Sequence, residues 1–253
     1  MSDPTFEARV RRYQQRCFRE YSHSIGIPEP YTYPDGNPIR PLPPVQTARG
    51  GLMIVGAYPS ARFEARPAAD GSGRRRLVPI GDNLHPFAEE EYFDGVRLRR
   101  LESGYQIRFR LLERLGLNPE QCWITDLVKV FLYKPEHKSS VGAVHPGFNP
   151  LILRGKFRTL AENSVSWLKQ ECDLCQPRLV VTLGEEVAQV IGVAARARAD
   201  DLLTREIGPA DSLGGWPVLH LPHPDACRRS DKWARIMEDR AQLGKRFLNG
   251  SSA

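Results

Sequence analysis

The 253-residue sequence lacks any apolar run near the roughly 18 residues that a membrane span requires, which excludes a transmembrane helix on pattern grounds. Its first 16 residues, MSDPTFEARVRRYQQR, contain no apolar stretch of the kind a secretory signal carries, so the expected location is cytoplasmic. A G-x-x-x-x-G-K-[ST] loop is missing, and with it the phosphate cradle of a nucleotide hydrolase. Cysteine is scarce: Cys17, Cys122, Cys172, Cys175 and Cys227 are odd in number and irregularly spaced, which argues against a disulfide framework. Cys172 and Cys175 form one C-x-x-C pair with no second pair. They read as buried free thiols, because zinc or an iron–sulfur cluster needs two more ligands at readable spacing. Acidic residues are in deficit, 30 Asp+Glu against 36 Lys+Arg, for a formal charge of +6. A mild positive field of this kind suits a polyanionic partner, although solubility alone also explains it.

What is present reads as a helix, an arm and one domain. Phe6, Val10, Tyr13, Cys17 and Tyr21 recur at helical spacing and predict a helix over 4–21. Seven prolines between Pro28 and Pro44 then forbid regular structure, and Tyr31, Tyr33 and Leu42 are the expected anchors of that arm. The arm closes an N-terminal segment of 1–50, followed by a domain over 51–248 and a disordered tail over 249–253. Within the domain, four continuous apolar runs predict strands covered on both faces: 52–56, 122–128, 178–183 and 216–221. Residues 61–83 and 134–154 read as loops. Helices are expected at 97–115, 155–171, after Gly184 and at 229–248.

Buried strands alternating with helices predict an α/β fold, a three-layer αβα arrangement around a central four-stranded, mostly parallel sheet. In such a sheet ligands bind outside the carboxyl ends of the strands. That rule selects 56–63, 126–133, 184–186 and 222–229, and unusual polar residues concentrate at these places.

The strand ends carry recognisable motifs. The first is Gly56-Ala57-Tyr58-Pro59-Ser60 and the last is His223-Pro224-Asp225. Between them stand Trp123-Ile-Thr-Asp-Leu-Val-Lys129 and Pro177-Arg-Leu-Val-Val-Thr-Leu-Gly184. In order and approximate spacing over 51–248, these resemble the motifs of the uracil-DNA glycosylase superfamily. The resemblance implies a monofunctional enzyme that flips a damaged or deaminated base, uracil or a relative, out of DNA and hydrolyses its N-glycosidic bond, acting as a monomer on double- or single-stranded DNA. On the family pattern, His223 stabilises the departing base, Phe87 stacks on it, and Asp126 with the backbone of Gly56, Ala57, Tyr58, Pro59 and Ser60 reads it. The last motif presses into the DNA groove, with Pro224 and Asp225 at the groove and Arg228 and Arg229 on phosphates, where Arg74, Arg75 and Arg76 are also expected.

Two departures from that pattern matter. Tyr58 occupies the position where several branches place the carboxylate or amide that handles water, and a phenol near pKa 10 is a poor base. Gly81-Asp82 resembles a G-D segment that serves elsewhere in the family, so Asp82 is the expected water-positioning residue, with Glu64 second. The branches with Ala at that position carry four cluster cysteines whose spacing is not reproduced, so neither a metal nor another cofactor is expected. Asp126 stands where uracil readers carry Asn. Ionised, it only accepts hydrogen bonds and favours a base edge rich in N–H donors; a turn-capping role is the other reading. A catalytically inactive nucleic-acid- or nucleotide-binding module on the same fold stays open beside the enzyme. A Ser60–Asp–His223 hydrolase lacks its G-x-S-x-G elbow. A chaperone-type His-Pro-Asp joins two helices, whereas here it follows a strand.

Overall fold

The computed structural model describes residues 5–194 and 196–250. Helix α1 (Phe6–Ile25) is capped by the Thr5 side chain and ends at Gly26 in the left-handed conformation. Along the chain follow β1 (Leu52–Gly56), β2 (Ala61–Pro67), β3 (Arg75–Asp82), β4 (Glu91–Phe93) and β5 (Leu98–Arg100). Then come α2 (Glu102–Gln106), a π-helical turn (Ile107–Leu112) and α3 (Glu113–Leu115), which run as one helix, and β6 (Cys122–Asp126). The rest comprises α4 (Pro135–Val144), α5 (Phe157–Cys175), β7 (Leu179–Leu183), α6 (Glu185–Ile191), α7 (Ala199–Leu203), β8 (Gly208–Ala210), β9 (Trp216–Leu221), α8 (Pro224–Arg229) and α9 (Asp231–Leu248).

The central sheet has five strands in the order β6-β1-β7-β9-β8. The expected four are all parallel to one another, and β8 adds an antiparallel edge against β9. Three residues, Gly-Pro-Ala, make that fifth strand, and so short a run with a proline shows no strand pattern; proline is tolerated there because it is an edge. Alternate residues of each strand enter opposite layers. Met53, Val55, Trp123, Val180 and Val218 pack against α1 and α5. Leu52, Ile54, Ile124, Val181 and Leu219 face the 102–115 helix and α9.

Three local expectations are corrected. Residues 61–83 are not a loop but the β2–β3 hairpin, in which Ala61 and Ala65 are buried and Arg62 and Glu64 exposed, a period-two pattern interrupted by the glycine-rich turn. The stretch 134–154 contains α4, which Pro135 starts and which buries Val141 alone, too little for an amphipathic stripe. The helix expected from 97 begins at Glu102, because Leu98–Arg100 pairs with β4.

Helix α1 and the arm do more than wrap the surface. Tyr21, Tyr31 and Tyr33 are buried in the core that also holds the sheet. The Tyr21 hydroxyl donates to the Leu127 carbonyl and accepts from the Lys129 N–H, and Tyr31 treats Phe131 and Tyr133 in the same way. Further on, the Ile124 and Ala48 N–H groups bond Gln46 and Cys122 carbonyls, so the arm covers the open edge of β6. The five cysteines are free and buried. Residues 251–253 of the expected tail, and Pro4 at the expected helix start, lie outside the described residues.

Candidate active site

The chain order of the parallel strands reverses direction at β1, which opens a crevice above the carboxyl ends of β1, β6 and β7. A cavity of about 380 Å³ lies there, lined by residues 57–60, 183–187, Phe63, Phe87, Ser103, Phe131, Lys134, His137, Arg154 and His223. Loop geometry is fixed by the sheet itself: the Leu127 and Val128 N–H groups bond the Gly56 and Ala57 carbonyls, and the Gly184 N–H bonds the Leu221 carbonyl. The loops after β1 and β9 therefore meet at one cavity, and Ala57, Tyr58, Pro59, Ser60 and His223 share its wall.

His223 is the cap of α8. Its Nδ1 accepts the Asp225 N–H at 3.1 Å, so a neutral ring must carry its proton on Nε2. Burial lowers its pKa, with the Asp225 carboxylate opposing. A second proton would sit on Nδ1 against that N–H, which disfavours the cation further. The side chain that reaches the cavity is thus a neutral N–H donor, oriented by its own helix. His137 follows the same plan: Nδ1 accepts the Lys134 N–H, the ring stacks on Phe131, and burial pushes its pKa down to about 4.

Gly56 shows why the first motif begins with glycine. A Cβ there would stand 2.3 Å from both Asp126 Oδ1 and the Phe87 Cζ atom. Asp126 and Phe87 thus converge on one bare backbone position at the end of β1. Phe87 holds a left-handed backbone with φ 56°, and the 102–115 helix approaches it so closely that a Cβ on Gly104 would fall 2.3 Å from its carbonyl oxygen. Its ring forms part of the wall of the main cavity and of a neighbouring one of about 270 Å³. Asp126, expected to read the base from the pocket wall, is fully enclosed next to it and is not among the residues that line the cavity. Neither carboxylate oxygen has a hydrogen-bond partner among the described residues, and desolvation raises its pKa to about 7 despite Lys129 nearby. With a pKa near 7 the carboxyl is divided between its neutral and ionised forms at pH 7, and the neutral form presents one donor and one acceptor, as an amide does. The acceptor-only expectation holds for the ionised form alone.

The expected water-handling carboxylates do not reach the cavity wall. Asp82, at the end of β3, accepts the Tyr33 hydroxyl at 2.9 Å and the Arg40 N–H at 3.2 Å, and is occupied in holding the arm. Glu64 points to solvent and pairs with Arg66 at 2.9 Å. The carboxylates that line the cavity are Glu185 and Glu186. Glu186 pairs with Arg154, whose guanidinium lies over the rings of Tyr58 and Phe157. Glu185 has no ion-pair partner among the described residues and accepts only the Gln189 amide in the first turn of α6. Burial raises the Tyr58 pKa, so its phenol stays protonated. In the sequence these two acids read as first-turn residues that complement the positive terminus of the helix after Gly184, at a strand end but with no chemical role. Lys134, His137 and Arg154 lie in segments read as loop and carry no motif.

Among the expected DNA contacts, Pro224 is buried and Asp225 is paired with both Arg228 and Arg229. Arg74, Arg75 and Arg76 stand exposed at and beside the turn of the β2–β3 hairpin. No helix among the described residues is long and apolar enough to cross a membrane, and no group of three or more His, Cys, Asp or Glu side chains among them is placed to hold a metal ion.

The fold and crevice define an α/β protein with a compact polar site at the switch point of its sheet. A family model for the uracil DNA glycosylase superfamily matches residues 44–241, which take in the whole central sheet and every cavity residue named above. The chain belongs to that superfamily, whose members are in general DNA glycosylases. No curated protein matches the chain.

Proposed function

We propose that this protein excises a damaged or deaminated base from DNA, with His223 as the donor to the leaving base. The observation that carries the reading is the neutral His223, whose Nδ1 is committed to the Asp225 N–H, standing in the wall of a cavity at the carboxyl ends of β1 and β7. Breaking the bond from the sugar C1′ to the base nitrogen leaves the electron pair on the base and a cation-like sugar. The negative charge spreads to a base oxygen, where a fixed Nε2–H stabilises it; one such preorganised donor is worth about 2.7–4 kcal/mol. Water then adds at C1′ and gives up a proton. Glu185 is the cavity carboxylate free to take it, in place of Asp82 and Glu64. Phe87 supplies the stacking face that offsets the few kcal/mol of unstacking a flipped base costs. On this reading Asp126, enclosed behind Gly56 and Phe87, reads the base edge as a neutral acid, donating to a carbonyl and accepting from an imino N–H. Uracil and other bases with adjacent C=O and N–H groups fit that pattern.

The test is alkali cleavage of abasic sites after incubation with single-stranded and duplex oligonucleotides carrying uracil, hypoxanthine, xanthine or a thymine mismatch. Strand breaks that vanish in His223→Ala and fall in Glu185→Gln support the reading. Binding without breaks across the panel overturns it in favour of an inactive binding module.

A further inference from the structure

Lys134 stands in the cavity wall but has no part in the excision chemistry above. Its backbone is held in place. Pro135 starts α4 directly after it, its N–H donates to His137 Nδ1 at 3.2 Å, and its carbonyl accepts the His137 N–H at 3.0 Å. The His137 ring is itself stacked on Phe131, with centroids 5.5 Å apart. The Lys134 side chain is half-buried. Among the described residues, Lys129 and Lys232 form ion pairs, with Glu171 and Asp200, and Lys134 forms none. Of the other cavity groups, Arg154 is claimed by Glu186 and by the rings of Tyr58 and Phe157. Burial lowers the pKa of His137 and of His223, and the Lys134 charge adds to it in both, so the amine is within electrostatic reach of the two rings. An uncommitted primary amine therefore shares the cavity with the donor to the leaving base. The volume is about 380 Å³. Pockets of ~300–1,000 Å³ enclose a whole small molecule, so a sugar has room beside a base.

Removal of a base leaves a deoxyribose whose C1′ opens to an aldehyde, and lysine is the side chain suited to condense with a carbonyl. We propose that this protein has a second activity, an abasic-site lyase, in which Lys134 forms an iminium with the C1′ aldehyde and the 3′-phosphate is then eliminated. The inference rests on the excision reading, whose product is its substrate. In the first step the Lys134 Nζ–C1′ bond forms, and the aldehyde oxygen leaves as water with two of the three ammonium protons. Glu185, the cavity carboxylate without an ion pair, then takes a C2′ proton. The C–H electron pair becomes a C2′=C3′ double bond, and the C3′–O bond breaks with its pair on the departing phosphate. Water hydrolyses the iminium and returns the amine.

Borohydride trapping on a duplex that already holds an aldehydic abasic site tests this without relying on excision. Borohydride reduces an iminium to a stable amine, so the wild type should give a covalent protein–DNA adduct that mass spectrometry maps to Lys134. Without borohydride it should nick the strand on the 3′ side of the site at neutral pH, with no alkali. A duplex carrying a tetrahydrofuran analogue, which has no aldehyde, should give neither product. Lys134→Arg keeps the charge but replaces the amine with a guanidinium, and it should lower adduct and nicking by about tenfold or more. A thermal melt of the variant beside the wild type checks that it is folded. An adduct mapped to another residue, an equal yield from Lys134→Arg, or a wild type that gives neither adduct nor nick overturns the lyase. A wild type that traps and nicks abasic DNA but excises no base keeps the lyase and refutes the excision reading. One that excises bases and then neither traps nor nicks does the reverse.

Discussion

Asp126 and Lys129 lie three residues apart, both with side chains sealed from solvent, and the protein treats them in opposite ways. Lys129 is fully partnered: its Nζ bonds Thr125 Oγ1 at 2.7 Å, the Asp126 carbonyl at 2.9 Å and Glu171 Oε1 at 2.7 Å. Glu171 in turn receives the Tyr13 hydroxyl and, at 3.0 Å, the Trp123 indole N–H. This network ties α1, β6 and α5 into one body. Asp126 holds its carboxyl toward Gly56 and Phe87 with no hydrogen-bond partner among the described residues. An orphaned buried carboxyl is a cost the fold tolerates, while the neighbouring Lys129 ammonium collects three acceptors, two of them from its own segment. The contrast separates a satisfied network that joins three elements from a carboxyl enclosed behind Gly56 and Phe87 at the end of β1.

The largest effect that sharpens the contrast is in the cavity. His223→Ala should lower base excision by about 10²–10⁴-fold while leaving the melting temperature close to wild type, measured by strand cleavage beside a thermal melt. Activity should also fall toward acid pH. The pKa of His223 is depressed, the neutral form is the one in place at pH 7, and protonation removes the arrangement in which Nδ1 accepts.

Next in size is the satisfied network. Lys129→Met or Glu171→Gln each strands a buried partner and should cost about 3–5 kcal/mol in denaturant unfolding, with activity per folded molecule retained. A loss of only a few tenths would break the comparison, since it would mean the network is no better satisfied than Asp126.

Asp126→Asn tests the orphan. In the folded chain the carboxyl pKa stands near 7 against a reference of 3.8, so the folded state keeps a proton that the unfolded chain releases. The stability this contributes is full below pH 4 and is lost at up to about 1.4 kcal/mol per pH unit as pH rises toward 7. Asn removes that slope, so the variant should be more stable than wild type at pH 8 and lack the decline between 4 and 7. It should also keep uracil excision at alkaline pH, where the wild-type carboxyl ionises. The smallest effect belongs to Tyr13→Phe, which removes one donor to Glu171 and should cost about 1 kcal/mol.

The strands and the crevice were legible because a strand covered on both faces must be apolar at every position: Leu52-Met-Ile-Val and Leu179-Val-Val-Thr-Leu admit few other readings. The loops were not legible. Helix α4 buries one side chain, and β8 is three residues long, so neither leaves a period to read. The candidate site divides in the same way. His223 and Tyr58 stand in motifs, Phe87 was expected only as the stacking ring of the family pattern, and the three share a cavity. Glu185, Lys134 and Arg154 reach that cavity from α6 and from either end of the segment between β6 and α5, with no local signature. Asp82 was chosen for its Gly-Asp context, but Tyr33 and the Arg40 backbone claim its carboxylate, a partnership between residues 42 and 49 positions apart that no local pattern encodes.

By itself, the sequence determined the layered α/β architecture, the strand ends at which a ligand must sit, and the residue types gathered there. Apolar runs and turn-forming glycines act over a few neighbours, and their consequences are local. Only the tertiary structure decided which polar groups are satisfied and which are left waiting: that Lys129 is neutralised by Glu171 from a distant helix, that Asp82 serves the arm, and that the Asp126 carboxyl has no hydrogen-bond partner among the described residues. Hydrogen-bond satisfaction and desolvation depend on what the rest of the chain brings alongside, and that is set by packing in three dimensions.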